Sequence, residues 1–228
     1  MNRTLEHILP RVQKPARYTG GEYNAVVKDR RAVDVRYALC FPDTYEIGMS
    51  NLGVRILYGL MNEMDGVWCE RVFAPWGDME EEMRREGIPL YGLESGDSIA
   101  DFDLIGFSLG YEMAYTNVLN MLDLAGLPLR SGERTELSPI VVAGGTCAFN
   151  PEPLAPFVDL FVLGEGEDVS VEIIQLYRQA REEGWGKEEF LTAAARIPGV
   201  YVPSLYEVSY HGDGTVAAVT PLEGAPAR

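Results

Sequence analysis

The sequence predicts an α/β fold in which a doubly wound, mostly parallel sheet of five strands has helices on both faces. Between residues 33 and 184, short apolar runs alternate with longer amphipathic segments, as in a series of right-handed βαβ units. Runs such as 140–143 are apolar throughout, which is typical of parallel strands buried on both faces. Several of these runs stop at glycines, where the chain can turn sharply at the carboxyl end of a strand. Five strands with connections of this length suit a flavodoxin-like sheet of order 2-1-3-4-5.

The first elements follow the expected periodicities. Strands are predicted at 33–40 and 67–73, and a helix between them at about 50–64 has apolar residues every three or four positions. A short acidic helix is expected at 79–85, closed by a glycine. The stretch 88–93 fits either a short strand or an extended loop.

The later elements continue the alternation. Strands are predicted at 103–109, 140–143 and 158–163, and helices at about 113–125 and 167–182. These elements complete an α/β domain that spans residues 33–184.

Two further segments flank this domain. Residues 1–32, rich in proline, glycine and basic side chains, are expected to form an arm that lies against something else. Residues 185–228 should contain a helix at 188–197 and a β-hairpin, because Asp213-Gly214 separates two extended runs. A lone hairpin is marginally stable in water, so we expect the chain to be part of a longer protein.

Composition narrows the possible partners. The 228 residues are 46% hydrophobic and 24% charged, as in ordinary globular domains. The formal net charge of −16 makes a nucleic-acid partner unfavourable, and the scattered basic residues of the arm fit solvent or domain contacts better than a polyanion site. No apolar run is long enough to span a membrane, and no secretory signal precedes the domain, so a cytoplasmic location is expected.

The cysteines and histidines do not form a recognisable catalytic or metal site. Cys40 and Cys69 fall in predicted strands and should be core thiols, whereas Cys147 lies in a glycine turn, either as a small residue or in a functional role. No CxxC motif occurs, so an iron–sulfur or zinc site held by this chain alone is not expected. His7 and His211 lie outside the predicted sheet, which excludes a Ser–His–Asp triad within it. We therefore predict no catalytic residue and no metal ligand.

Residues that follow the predicted strands form the candidate ligand site. After the first strand, polar side chains and glycines could contact a ligand: Asp43, Thr44, Tyr45, Glu46, Gly48, Asn51 and Gly53. The alternative is a local turn and helix cap, in which Asp43 and Ser50 satisfy free backbone amides. After the third strand, a ring platform and simple strand-end chemistry are equally good interpretations of Ser108, Gly110, Tyr111 and Glu112. The remainder of the expected rim is Gly144, Gly145, Thr146, Cys147, Gly164, Glu165 and Gly166.

Phosphate-binding motifs are absent from this rim. The glycines at 164 and 166 are followed by carboxylates, which favour a helix start but would repel a phosphate. Neither a dinucleotide fingerprint nor a P-loop nor a serine-hydrolase motif occurs. Phosphoryl transfer and serine hydrolysis are therefore poor interpretations of the site.

Three segments of the chain, taken together, carry a family resemblance. They are 41–53, then Gly144-Gly145 with 150–153, and 158–167. Because of them, nearly the whole chain resembles the N-terminal cobalamin-binding-like domain of bacterial radical S-adenosylmethionine (radical SAM) proteins. Within that family, the chain is most similar to a group whose members are poorly characterised. The resemblance implies a doubly wound sheet that holds cobalamin at its carboxyl edge. That edge would face a partial β/α barrel that carries a [4Fe–4S] cluster and S-adenosylmethionine.

The chain departs from this family pattern in two ways. The CxxxCxxC cluster motif is missing, so the cluster, S-adenosylmethionine and radical chemistry would belong to a C-terminal part outside this chain. The DxHxxG histidine that ligates cobalt in classical cobalamin proteins is also missing, although some radical proteins of this type bind cobalamin without it. The resemblance then implies that the lower corrin face lies near Tyr45 and Glu46 and its side along the other rim residues.

Two functions are compatible with this resemblance. The chain could be an accessory module that holds cobalamin and presents it to the radical SAM domain of the parent protein. Alternatively, it could be a cofactor-free docking domain that caps the barrel and shapes access to it. A binder of flavin or another small ligand is a third interpretation.

Overall fold

The computed structural model describes residues 3–226. Its helices are α1 (Arg3–Ile8), α2 (Tyr45–Ser50), α3 (Leu52–Glu63), α4 (Gly77–Glu86), α5 (Tyr115–Leu124), α6 (Gly166–Glu183) and α7 (Lys187–Ala194). Its strands are β1 (Val35–Phe41), β2 (Val67–Phe73), β3 (Leu104–Ser108), β4 (Ile140–Gly144), β5 (Leu160–Val162), β6 (Val200–Tyr201), β7 (Tyr206–Tyr210) and β8 (Val216–Pro221). None of the helices in this range combines the length and apolar character needed to cross a membrane.

The main sheet has the predicted order, with one strand more than expected. Strands β2-β1-β3-β4-β5 lie side by side and are parallel, which confirms the flavodoxin-like order 2-1-3-4-5. A sixth strand, β6, pairs antiparallel with β5 at the edge of the sheet. The expected number of five strands was therefore too low by one. β6 gives little signal in the sequence, because it has only two residues and directly follows Pro198-Gly199.

Helices cover both faces of this sheet. One core contains residues of α3, α6 and α7, and the other contains residues of α1, α4 and α5. All seven residues of β1 are buried, because their side chains point alternately into the two cores. The helices after β1 and β3 pack on opposite faces, so a crevice is expected between the carboxyl ends of these two strands.

Local conformation refines two of the predicted elements. The turn expected at 41–48 contains the short helix α2, and Asn51 in extended conformation separates it from α3. The ambiguous stretch 88–93 is a loop whose only strand-like pairing is an isolated bridge between Tyr91 and Ser98.

The N-terminal arm is packed onto the α/β domain. Leu5 and Ile8 of α1 are buried in the same core as α4 and α5. Four basic residues of the arm pair with acidic residues of the domain, for example Arg11 with Glu82 at 3.2 Å; the others are Lys14, Arg17 and Arg30. The expected contact between the basic arm and the domain is therefore present.

The C-terminal segment contains the predicted helix and hairpin. Strands β7 and β8 form a separate two-stranded antiparallel sheet around the turn at 211–214. Tyr206, the first residue of β7, packs on the core of the domain, whereas all six residues of β8 are exposed.

Candidate functional site

The predicted site segments converge at the carboxyl edge of the parallel sheet. In the strand register, Phe41 at the end of β1 is paired with Phe73 at the end of β2. Ser108 at the end of β3 is paired in the same way with Gly144 at the end of β4. The loops that follow these strands therefore leave the sheet at one edge, as the sequence predicts.

A hydrogen bond closes the crevice between β1 and β3. The Tyr111 hydroxyl donates to Asp43 Oδ2 at 2.6 Å, and the Thr44 amide donates to Asp43 Oδ1 at 2.7 Å. The contact with the carboxylate raises the pKa of Tyr111 above its ordinary value. The Asn117 side chain of α5 also donates to the Pro42 carbonyl at 2.9 Å. Asp43 and Tyr111 thus bind each other across the point where a ligand would enter.

Tyr45 and Glu46 contact the N-terminal arm. The Tyr45 hydroxyl donates to Glu22 Oε1 at 2.8 Å, and Glu46 Oε1 accepts from Arg17 at 2.9 Å and Lys14 at 3.1 Å. The Arg17 guanidinium lowers the pKa of Glu46 to about 2. The two side chains that were expected to meet a corrin face are thus engaged by the arm.

A buried arginine on β2 links the arm to the interior. Arg71 pairs with Glu22 of the arm at 2.8 Å and with Glu94 at 2.6 Å, and its guanidinium lies 4.8 Å from the Tyr58 ring centroid. The Glu94 side chain is fully buried, and burial raises its pKa although Arg71 opposes the shift. The sequence did not reveal this cluster, because its four members lie in four different segments of the chain.

Two of the remaining residues of the β1 loop, Gly48 and Asn51, have structural roles. Gly48 is buried, and a Cβ atom at this position would overlap the Phe73 ring. The Asn51 side chain accepts from the Val54 amide at 3.0 Å and so caps α3. Gly53 is exposed in the first turn of α3. The sequence interpretation, which assigned the cap to Asp43 and Ser50, was right that Asp43 accepts a backbone amide but wrong for Ser50, whose hydroxyl donates to the Ile47 carbonyl at 2.8 Å.

The turns after β3 and β4 are bound to each other through the backbone. The Leu109 amide donates to the Gly144 carbonyl at 2.7 Å, and the Cys147 amide donates to the Leu109 carbonyl at 3.1 Å. The Thr146 hydroxyl donates to the Gly110 carbonyl at 3.2 Å, and Ser108 is half-buried beside them. These contacts hold both turns in one fixed arrangement.

Bare backbone is accessible along this part of the edge. Gly110, Gly145 and Gly164 are exposed and Gly144 is half-buried, and nothing lies within 4 Å of a Cβ atom built on Gly110 or Gly164. We call these four residues the glycine ledge. A flat ligand could approach the backbone here more closely than it could approach positions that carry side chains.

The end of the ledge at Gly164, where α6 begins, is acidic. Glu165 precedes α6 as its N-cap residue, and Glu167 and Asp168 lie in the first turn. Gly166, between these carboxylates, faces Leu57 of α3. At the other end of the ledge, near Gly110, the Glu112 side chain is also exposed. Carboxylates at a helix N-terminus stabilise the helix and disfavour a phosphate there, as expected from the sequence.

The cysteines and histidines supply no reactive group at this edge. Cys40 and Cys69 are fully buried, which confirms them as core thiols, and burial raises the pKa of both. Cys147 is 9% exposed, and its pKa is also raised, mainly by burial and then by Glu112. Across residues 3–226, no three His, Cys, Asp or Glu side chains are grouped so as to hold a metal ion.

Large apolar side chains are exposed around the same edge. Met113 is 84% exposed and Phe149 is 70% exposed, at the turns after β3 and β4. Four further apolar side chains near this edge, Ile47, Leu52, Trp76 and Tyr111, are each at least 41% exposed. We call all six residues the apolar rim. Exposed apolar groups gathered in this way are typical of a surface that binds another protein or domain. Apart from Tyr111, these residues were not among the predicted site residues, although all except Leu52 lie within six residues of a strand end.

Comparisons with known proteins identify the family. The model of the family "Radical SAM proteins, N-terminal" matches residues 53–203. An uncharacterized protein of Methanocaldococcus jannaschii is 28% identical over 140 residues, which are 60% of this chain and 26% of that protein. The chain thus spans about a quarter of the length of this relative. No solved structure matches the present chain significantly. Since the family match takes in more than half of the chain, the protein belongs to the N-terminal domain family of radical SAM proteins.

Proposed function

We propose that the chain is an accessory domain of a radical SAM enzyme and that its carboxyl edge packs against the radical SAM domain. The apolar rim supports this, because Met113 and Phe149 expose most of their surface to water. The relative from Methanocaldococcus jannaschii has about three quarters of its length outside the matched part, which leaves room for such a domain. The [4Fe–4S] cluster and S-adenosylmethionine would then be held by that second domain.

A binding experiment with separated domains tests this packing. The chain and the radical SAM domain of the same protein, supplied as two polypeptides, should co-elute in gel filtration. The double variant Met113→Asp/Phe149→Asp should weaken binding at least roughly tenfold, because burying one large apolar side chain contributes about 1.5–3 kcal/mol. Val27→Asp, at a 68% exposed position of the arm, is the matched control and should bind normally. Undiminished binding of the double variant would show that the partner uses another face.

Cobalamin held on the glycine ledge is a second candidate function. The ledge supports it, because Gly110 and Gly164 leave open space above the backbone. The other expected contacts fit less well, since Tyr45 and Glu46 bind the arm and both histidines lie away from this edge. When bound, cobalamin would supply cobalt-assisted chemistry such as methyl transfer. The contribution of this chain would be a flat backbone support, with no side chain placed to ligate the cobalt.

Retention of a corrin distinguishes this candidate from a docking domain without a cofactor. Purified chain incubated with hydroxocobalamin should keep the visible corrin absorbance after gel filtration. Gly110→Trp should abolish retention, because the indole would fill open space on the ledge without a strained φ. Gly132→Trp is the control, since Gly132 also faces open space but precedes β4 at the opposite edge. If the unmodified chain lost the corrin during gel filtration, cobalamin binding would be excluded and docking would remain as the proposed function.

A further inference from the structure

A cavity of about 690 Å³ lies between the C-terminal hairpin and the α/β domain, and we call it the hairpin pocket. One wall is the hairpin itself, because the side chains of Tyr206, Val208 and Tyr210 alternate along β7 and all line the cavity. The opposite wall includes Val158, which precedes β5, and Leu191 of α7. Sites for small molecules are typically clefts of roughly 300–1,000 Å³ with mostly apolar walls. The hairpin pocket therefore has the size and the walls of a small-molecule site.

Glu152 supplies a carboxylate to this pocket. It stands between two prolines in the segment 150–153, which carries part of the family resemblance and has no role in the proposed function. The Tyr201 hydroxyl donates to Glu152 Oε1 at 2.8 Å, and Glu152 is half-buried. Because the prolines restrict the backbone on both sides, the carboxylate is held in place. Its second oxygen, Oε2, remains for a ligand.

The two basic side chains of the pocket are already bound. Arg134 and Lys187 are more than nine-tenths buried and pair with Asp159 at 3.2 Å and 2.7 Å. They also donate to backbone carbonyls, such as those of Phe157 at 2.7 Å and Ser131 at 2.8 Å. Arg134 Nε has no acceptor among the described residues, but it is buried from solvent. An anionic ligand would therefore find no accessible donor on these two side chains.

Two carboxylates at the pocket are not neutralised. Neither Glu152 nor Glu188, which is exposed in the first turn of α7, forms an ion pair with any residue that the structure describes. A cleft lined by uncompensated charge of one sign concentrates ligands of the opposite sign. The hairpin pocket thus favours a ligand with a positive charge.

Aromatic rings add a second element of recognition. The ring centroids of Tyr201 and Tyr206 lie 5.4 Å apart at the pocket, and Tyr210 on the same side is 56% exposed. The face of a tyrosine ring attracts a cation and also packs against another flat ring. An organic cation with an aromatic body would satisfy both the rings and the carboxylate.

We propose that the hairpin pocket binds a small organic amine whose aromatic or other apolar body lies between the hairpin and the domain. Glu152 Oε2 would accept from the ammonium group, and Tyr210 would cover the body. Met113 and Gly110 do not line this pocket, so the site is separate from both the apolar rim and the glycine ledge. The proposal thus adds a ligand site to the proposed docking function.

Two probes of opposite charge test the site. Tryptamine carries a protonated primary amine at neutral pH, and indole-3-propionate carries a carboxylate on the same ring system. In a titration of the purified chain followed by amide chemical shifts in NMR, tryptamine should bind with a dissociation constant of about 1 mM or lower. The shifts should concentrate at residues that line the pocket, such as Ala155 and Val208. Indole-3-propionate should bind at least roughly tenfold more weakly, because its carboxylate would meet that of Glu152.

Matched variants assign the binding to individual side chains. Glu152→Gln should weaken tryptamine binding at least roughly tenfold, because it removes the charge while keeping an acceptor for the Tyr201 hydroxyl. Glu207→Gln is the control, since Glu207 is exposed on the other face of β7 and does not line the pocket. Tyr210→Leu should also weaken binding, whereas Tyr23→Leu, at a fully exposed position of the arm, should not. Far-ultraviolet circular dichroism should show that all four variants are folded.

Three outcomes would overturn the inference. They are the absence of saturable tryptamine binding, equal affinity for the two probes, and an affinity for tryptamine that Glu152→Gln leaves unchanged. None of these outcomes bears on Met113 or Phe149 at the carboxyl edge. Failure of the amine site and failure of the proposed docking edge are therefore distinguishable.

Discussion

Two glycines of the ledge are present for different physical reasons. Gly145 has φ +100°, and a Cβ atom built on it would lie 2.7 Å from the Leu109 carbonyl oxygen and 3.0 Å from the Leu109 nitrogen. Gly110 has an ordinary φ and open space around it. The fold therefore requires glycine at 145, whereas at 110 it only leaves room that a ligand or neighbouring domain could occupy.

This contrast predicts opposite effects of one small substitution. Gly145→Ala should destabilise the chain by about 1–3 kcal/mol, the usual range for backbone held in an unfavourable conformation. Gly110→Ala should change stability little, because its methyl group meets no atom within 4 Å. Urea unfolding followed by circular dichroism measures both. Equal effects at the two positions would contradict the assignment of a packing role to Gly145 alone.

At the scale of elements, the sequence predicts strands better than the contacts between distant segments. The apolar runs located β1–β5 because strands buried on both faces have a distinct composition. The covering of Tyr45 and Glu46 could not be predicted, since Glu22 and Arg17 lie more than 20 residues away and ion pairs leave no periodic signal. The candidate site was therefore predicted in its location but not in its accessibility.

The arm behaves as an integral element, which a core substitution can test. Ile8 of α1 is fully buried against the core that contains α4 and α5. Ile8→Ala should lower the free energy of unfolding by about 2–5 kcal/mol, through lost burial and the cavity that it leaves. Val27→Ala, at a 68% exposed position of the same arm, should cost little. If denaturation midpoints showed no difference between the two variants, the arm would be a loosely attached appendage.

At the scale of the whole molecule, exposed apolar surface and high net charge oppose each other. The apolar rim and the exposed valines of β8 favour association. The net charge of −16 opposes the approach of two copies. Salt screens charge repulsion but leaves the burial of apolar groups largely intact.

This balance predicts that the isolated chain associates more as ionic strength rises. Between about 0.01 M and 0.15 M salt the Debye length falls from roughly 30 Å to 8 Å, so repulsion between copies should weaken sharply. Sedimentation velocity should show a larger concentration-dependent increase in sedimentation coefficient at the higher salt. Met113→Asp/Phe149→Asp should reduce that increase. Association that instead weakens with salt would indicate contacts between opposite charges.

The reversed direction of β6 has a consequence for how a large neighbour can engage this domain. β6 begins beside the end of β5, where the Leu163 amide donates to the Gly199 carbonyl, and runs antiparallel toward the opposite end of the sheet. Tyr206 and Tyr210 of the hairpin accordingly line the hairpin pocket with Ser131 and Arg134, which precede β4, so the hairpin lies toward the opposite end of the sheet from the carboxyl edge. A polypeptide that contacts both ends must extend along the side of the sheet, whereas a neighbour that packs on one edge could contact only one of them.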